Sequence, residues 1–288
     1  MTRWLVTGAG GAVGSDLVDL LTAQEADVAA RDHSALDVAD SEALTAALEE
    51  IKPTVVLNAA AYTRVDDAET DEDTALRVNG EAPGVMARWC AEHRARMVHI
   101  STDYVFDGNA AAPYEVKDKT GPVSAYGRTK RAGERAVLAA DGNVHVVRAA
   151  WIYGARGTNF VRTIARRLLA GEAVDVVDDQ RGAPTWSRDL AAALIALGTA
   201  DVRPGLWHCA PQGEVTWYGV AVAIAEELDC DPSLVRPTTS EAFVRPAPRP
   251  RYSVLSSRKW ANYGLPVLPD WRESLHQALT VAREALTT

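Results

Sequence analysis

Trp4-Leu5-Val6-Thr7-Gly8-Ala9-Gly10-Gly11-Ala12-Val13-Gly14 decides the reading of this chain. A short apolar run with β-branched residues reads as a strand, and the glycines that follow mark a tight turn into a helix. In that setting glycine allows close backbone approach to a pyrophosphate. The helix N-terminus then offers free N–H groups and the positive end of its dipole. The spacing separates two versions of the motif. The common dinucleotide pattern needs glycine where Val13 stands, whereas Gly8, Gly11 and Gly14 fit a different spacing, G-x-x-G-x-x-G.

Outward from this turn, β-rich runs alternate with helical stretches. Strands are expected at Trp4–Thr7, Asp27–Ala30, Thr54–Asn58, Met97–Ser101 and His145–Ala149, with helices beginning near Val13, Ser41, Asp73 and Ser124. Ser41, ahead of Glu42-Ala43-Leu44, reads as the cap of the second helix, which ends near Lys52-Pro53. The pattern predicts an α/β fold, a Rossmann-type doubly wound parallel sheet covered on both faces. It divides the chain into a dinucleotide-binding domain over residues 1–150 and a smaller substrate-binding α/β lobe over 151–288, later segments being able to add a strand to the first. The second half is less regular. It holds a helix over Asn159–Ala170, a strand at Val174–Val177, a helix from Ser187, an extended loop at Pro246–Arg251 and a last helix at Trp271–Ala285.

Composition bounds the function. With 288 residues, 47% hydrophobic, the chain can bury a substantial core. It has no apolar run of the roughly 20 residues that cross a bilayer, and no charged-then-apolar leader, so a cytoplasmic protein is expected. The net charge of −9 opposes broad adhesion to nucleic acid or anionic lipid. Cys90, Cys209 and Cys230 lie far apart, and the six histidines show no ligand spacing, so no metal site is expected. His99, on a strand, reads as a structural residue.

Two later stretches carry the chemistry. Ser101-Thr102-Asp103-Tyr104 ends the fourth strand, at the carboxyl edge where open parallel sheets bind ligands. Tyr126-Gly127-Arg128-Thr129-Lys130 begins a helix, which puts Tyr126 and Lys130 on one face. A phenol has a pKa of about 10, and a nearby ammonium lowers it toward the range of a useful general acid. Hydride addition to a ketone makes an alkoxide. Tyr126 would protonate it, Thr102 would hydrogen-bond the same oxygen, and Lys130 would also hold the nicotinamide ribose. For the cofactor, Arg31 can meet a 2′-phosphate while Asp32 can accept from a free ribose, so NADPH and NADH both stay open, with a mild lean to NADPH.

Taken together, these features make the chain resemble the dTDP-4-dehydrorhamnose reductase family of extended short-chain reductases over nearly its whole length. The marks are Leu36–Asp40, Asn58–Asp66, Ser101–Gly108, Asp179–Thr185, Arg245–Pro250 and Leu268–Arg272. The resemblance implies reduction of a dTDP-4-keto-6-deoxysugar, dTDP-6-deoxy-L-lyxo-4-hexulose, to dTDP-L-rhamnose. Another dTDP-deoxysugar of secondary metabolism, such as dihydrostreptose, is the alternative. By position it implies cofactor contacts at Gly11, Ala12, Val13, Asp37, Val38, Ala61, Tyr62 and Thr63 besides Tyr126 and Lys130. For the sugar it implies Thr102, Asp103, Tyr104, Trp151 and, lining the same place, Val65. An aromatic face such as Trp151 can stack on a pyranose, although a core tryptophan reads the same way. Some members of the family dimerise through Mg2+ held by acidic side chains. Asp16 occupies one such position with a shorter side chain than the usual Glu, and is read here as a solvated surface residue. The chain is expected to be a monomer or homodimer. Arg249 and Arg251 read either as diphosphate contacts or as solvated loop residues. A non-catalytic nucleotide-binding regulatory subunit is the rival of another class, and it has no chemical reason to keep Thr102, Tyr126 and Lys130 together.

Overall fold

A computed structural model describes residues 2–281 and 283–287. Its centre is a parallel sheet of six strands. These are β1 (Arg3–Thr7), β2 (Asp27–Arg31), β3 (Val55–Asn58), β4 (Arg96–Thr102), β5 (Asn143–Ala149) and, after the short strands β6 (Ile152–Tyr153), β7 (Val174–Val177), β8 (Arg181–Gly182) and β9 (Thr185–Trp186), β10 (Gly205–His208). Their order is β10-β5-β4-β3-β1-β2. The chain runs outward from β1 to β2, then returns to β3 on the other side of β1. That reversal opens a crevice at the carboxyl ends of the strands, beside the glycine turn. Two further strands, β11 (Val215–Thr216) and β12 (Val235–Thr238), pair with β8 and β7 in two-stranded ribbons.

The central strands are apolar on both faces because both are covered. On one side, α1 (Ala12–Ala23) and a later helix, α7 (Ser187–Thr199), pack with β1, β3 and β5 through Leu17, Leu21, Leu190 and Leu194. Trp207 of β10 and Trp260 join the same cluster, so residues far along the chain complete the first core. On the other side lie α2 (Ser41–Ile51) and a helical run over residues 72–92, made of α3 (Glu72–Leu76), one π turn (Arg77–Glu81) and α4 (Ala82–Glu92). Asp40, not Ser41, caps α2, its carboxylate accepting from the N–H groups of Glu42 and Ala43. Aspartate and serine are about equally good caps, and the turn closed by Asp37 brings Asp40 to the helix start first.

A separate apolar cluster lies in the second half of the chain. In it α6 (Phe160–Leu169), α8 (Trp217–Glu227) and α10 (Trp271–Val281) surround β7 and β12. The last helix expected from sequence is thus Trp271–Val281 followed by Arg283–Thr287, and Ala282 lies outside the described residues.

The helix that bears Tyr126 and Lys130, α5 (Ala125–Leu138), is capped by Ser124 and lies against the π turn at close range. Gly133 permits this, since a Cβ there would stand 2.1 Å from the carbonyl oxygen of Asn79. Gly133→Ala should therefore destabilise the protein by about 1–3 kcal/mol, even though alanine is the better helix former. Denaturant unfolding checks this, and a more stable variant would show that the contact yields freely.

Candidate active site

One large cavity, about 1210 Å³, opens along the carboxyl edge of the sheet. Its first end is the glycine turn. Gly8 takes φ +68°, and a Cβ on it would stand 2.6 Å from the backbone nitrogen of Ala60. A Cβ on Gly14 would come within 2.1 Å of the Gly8 carbonyl oxygen. Only glycine lets the turn and α1 close so tightly. No side chain caps α1 at Gly11, so its first-turn N–H groups are left for a ligand.

Ala12, Val13, Asp37, Val38, Ala61, Tyr62, Thr63 and Val65 continue the wall from this end. The loop after β3 is held from behind by Asn79 of the π turn. Its side chain accepts from the Tyr62 N–H at 2.9 Å and donates to the Tyr62 carbonyl at 3.0 Å and to Thr129 of α5 at 3.2 Å. Asn79 thus couples the loop after β3 to α5, a role with no local sequence signature. The π turn that carries it is the kind of helical irregularity that gathers at functional sites.

The floor comes from β4 and α5. Thr102 donates to the Asp103 carboxylate at 2.9 Å and accepts from the Tyr104 N–H at 3.2 Å. The rings of Tyr104 and Tyr126 meet edge to face, 5.5 Å between centroids. Lys130 is buried and donates to the carbonyl of Ile100 at 2.7 Å. Burial pushes the Tyr126 phenol up to about 12, with the Thr102 hydroxyl opposing the shift. The lowering expected from Lys130 is not seen at Tyr126: desolvation, with the Asp103 carboxylate adding to it, keeps the phenol protonated. Burial brings Lys130 down to about 8, with Glu134 acting the other way. Asp103, fully enclosed, is raised to about 6 by desolvation.

Trp151 also lines the cavity, with one face of its indole covered. That face is stacked on Trp217, 3.6 Å between centroids and 6° from parallel. Its backbone has φ +50°, a strained value for a bulky residue, and neighbouring segments hold it there. Thr185 donates to the Trp151 carbonyl through its N–H and to the Ala150 carbonyl through its hydroxyl, and Gly182 leaves the space that the indole fills. The Asp179–Thr185 stretch therefore shapes the tryptophan. Trp217 itself, whose ring also meets Phe160, was not foreseen from sequence, where it reads as one more apolar residue at the start of a helix.

Three sequence expectations need correction. Arg31 does not line the cavity, since its guanidinium folds back onto the Ala30 carbonyl. Asp16 is not a freely solvated residue: it is half-buried, accepts a short hydrogen bond from Ser187, and burial raises its carboxyl above the usual range. Arg249 is part-buried, not freely solvated, and does not line the cavity. It grips Asp66 with two hydrogen bonds of 2.8 and 2.9 Å, while the Ala247 N–H donates to the same carboxylate. Arg156 is a cation beside the glycine turn. It lines the main cavity and a smaller one of about 360 Å³ formed with Gly10, Asp32 and Ser34.

A sheet with this order, crevice and floor defines the dinucleotide-dependent short-chain reductases. Comparison with known proteins narrows the class. A family model described as RmlD substrate binding domain matches residues 2–284. A probable dTDP-4,6-dihydroxy-2-methyloxan-3-one 4-ketoreductase of Streptomyces antibioticus is 52% identical, covering 96% of this chain and 94% of its own. A dTDP-4-dehydrorhamnose reductase of Mycobacterium tuberculosis is 48% identical, covering 96% of this chain and 92% of its own. Among solved structures, the dTDP-4-dehydrorhamnose reductase of Bacillus anthracis in complex with NADP superposes with a TM-score of 0.92 at 32% identity, over 97% of this chain and 99% of its own. The chain belongs to the dTDP-4-dehydrorhamnose reductase family, and it is an oxidoreductase.

The burial of Asp103 has a consequence for stability. Its folded-state pKa lies above the unfolded value of about 3.9, so the native state favours the neutral acid. That contribution is fully present below about pH 4 and is lost as pH rises through about 6. Asp103→Asn should raise Tm relative to the parent at pH 7, and the gain should shrink toward pH 4. Melting curves at both pH values check this, and a gain independent of pH would remove the carboxyl as its cause.

Proposed function

We propose that this protein reduces the 4-keto group of a dTDP-6-deoxy-4-hexulose with NAD(P)H, and that the substrate is dTDP-6-deoxy-L-lyxo-4-hexulose, giving dTDP-L-rhamnose. The observation that carries the reading is that Thr102, Tyr126 and Lys130 form the floor of a cavity whose other end is an uncapped helix N-terminus behind a glycine turn. The residues present fit a nicotinamide dinucleotide. Gly8, Gly11 and Gly14 allow the backbone approach, α1 faces a pyrophosphate, and Lys130 reaches a ribose.

When bound, the reduced nicotinamide supplies hydride to the carbonyl carbon. Tyr126, kept protonated by burial, gives its proton to the developing alkoxide. Thr102 holds the same oxygen, turning its hydroxyl away from Asp103 to do so. Lys130 supplies positive charge beside the phenolate that Tyr126 becomes. Asp103, Tyr104, Val65 and the Trp151–Trp217 wall shape the sugar end.

A second reading has its own support. The relative at 52% identity is named for a different 4-keto sugar, so another dTDP-deoxysugar is the alternative substrate. Nicotinamide oxidation with each sugar decides between them: faster turnover of the L-lyxo hexulose supports the first reading, and turnover of the other sugar alone supports the second. We place the reaction in the cytoplasm, whose reducing conditions suit three free cysteines.

Tyr126→Phe is expected to bind cofactor nearly as the parent does and to lose at least about 100-fold in kcat. Near-normal turnover would take Tyr126 out of the proton transfer. Arg156 is assigned to a cofactor phosphate, since it is the cation that lines both cavities at the glycine turn. Arg156→Ala should weaken NADPH about tenfold, the scale of one charge-assisted hydrogen bond. Loss confined to NADPH in fluorescence titrations indicates the 2′-phosphate, equal loss for NADH indicates the pyrophosphate, and unchanged affinity for both refutes the assignment.

A further inference from the structure

The reaction described above uses Lys130 but leaves unexplained the buried charge one helical turn beyond it. Glu134 and Arg148 form an ion pair with side-chain exposures of 5% and 3%. Both oxygens of Glu134 are engaged. Oε1 accepts from Arg148 Nε at 2.7 Å and from the Ser101 hydroxyl at 2.6 Å, and Oε2 accepts from the second arm of Arg148 at 2.8 Å. Arg148 also contacts His208 Nε2 at 3.3 Å and lies over the Phe106 ring, 4.8 Å away. Burying a pair of charges costs desolvation energy that their attraction often fails to recover. A core of apolar residues would serve stability as well, so the placement of this pair points to another task.

That placement is specific. Ser101 lies between Ile100, whose carbonyl takes the Lys130 ammonium, and Thr102, whose hydroxyl faces the reacting oxygen. In the sheet Ser101 is in register with Arg148, and Thr102 with Ala149. We propose that Glu134 is a positioning residue for the active site: one turn from Lys130 on the same face of α5, its carboxylate sets a negative charge on the lysine's side of the helix and tethers the strand end that presents Thr102. The proposal rests on the reductase reading given above.

The surroundings of Lys130 single out Glu134 as the charge that matters. On its own helix the lysine has Tyr126, held neutral, and Glu134. From β4 it meets His99, also neutral, because burial and Lys130 itself both hold its pKa well below the ordinary value, and its Nδ1 contacts the Asn58 amide. From β5 the ionised group is Arg148, spent on Glu134. The π turn meets α5 through neutral Asn79, and α4 meets it at Gly84 against Ala136. Glu69 and Glu72 are engaged at the helix start, on the Ala125 N–H and on Arg128. Asp103, past the end of β4, acts on Tyr126. Burial drives Lys130 toward the neutral amine, and Glu134 is the charge that opposes this. A neutral Lys130 would lose both its charge beside Tyr126 and one of its three donors.

The test follows the charge on Lys130 directly. Its 13Cε resonance, assigned by its absence from Lys130→Met, is titrated in the free protein for the parent and for Glu134→Gln. The midpoint is expected to fall by about one pH unit in Glu134→Gln, a tenfold loss of charged lysine above it. The alkaline limb of kcat, measured with saturating NADPH and the sugar turned over by the parent, should fall by the same interval while both KM values hold. Glu134→Asp, which keeps the charge, should restore the midpoint. Glu134→Gln leaves Arg148 buried without its partner, so Glu134→Gln/Arg148→Met provides a variant with neither charge, and its midpoint should fall as well. An unmoved Lys130 midpoint in the glutamine variants, with only a lower Tm, would make Glu134 a structural residue and overturn the proposal. A parent without turnover on any 4-keto sugar would count against the functional reading, while the resonance titration would still decide the role of Glu134.

Discussion

The buried pair between Glu134 and Arg148 is the interaction on which the working parts of this molecule depend. It joins the helix of Tyr126 and Lys130 to β5, takes the hydroxyl of Ser101 on β4, and reaches His208 on β10. Three neighbouring strands and the catalytic helix therefore share one electrostatic centre. Fork-like pairing of guanidinium and carboxylate fixes direction as well as distance. That suits a site where a phenol, a hydroxyl and an ammonium must converge on a small volume, because apolar packing alone is non-directional.

Above this centre, the site obtains its chemistry from burial opposed by a few chosen contacts. Desolvation keeps Tyr126 protonated and weakens the ammonium of Lys130, and single neighbours adjust each effect. Glycines govern the geometry, at Gly8 and Gly14 in the turn and at Gly133 where α5 meets Asn79. The cavity is thus bounded at one end by backbone that nothing larger could replace, and at the other by a stack of aromatic rings around Trp217.

What could be read in the sequence was local or periodic. Five of the six strands of the sheet, all but β10, announce themselves as short apolar runs, the glycine turn by its spacing, and Tyr126 with Lys130 by an interval that helix geometry turns into one face. Contacts between distant residues left no such trace. Arg31 is adjacent to Asp32 in sequence, yet its side chain turns away, and Arg156 arrives at the same turn from beyond β6. Trp151 was visible as an aromatic after the fifth strand, but its stack on Trp217 and the room left by Gly182 belong to tertiary packing. The cap of α2 shows the same limit on a smaller scale. Asp40 and Ser41 are both fit for the task, and the preceding turn chooses between them.

The clasp of Arg249 on Asp66 spans 183 positions of the chain. Asp66 follows the third strand, whereas Arg249 is made only after all six strands of the central sheet. The wall beside Val65 therefore cannot acquire its final form until Arg249 has emerged, although the glycine turn and the first five strands are made long before. Domains tend to assemble from the N-terminus as they emerge. Until Arg249 has been made, a growing chain holds every residue of the glycine turn and of the first five strands but lacks the clasp that fixes Asp66.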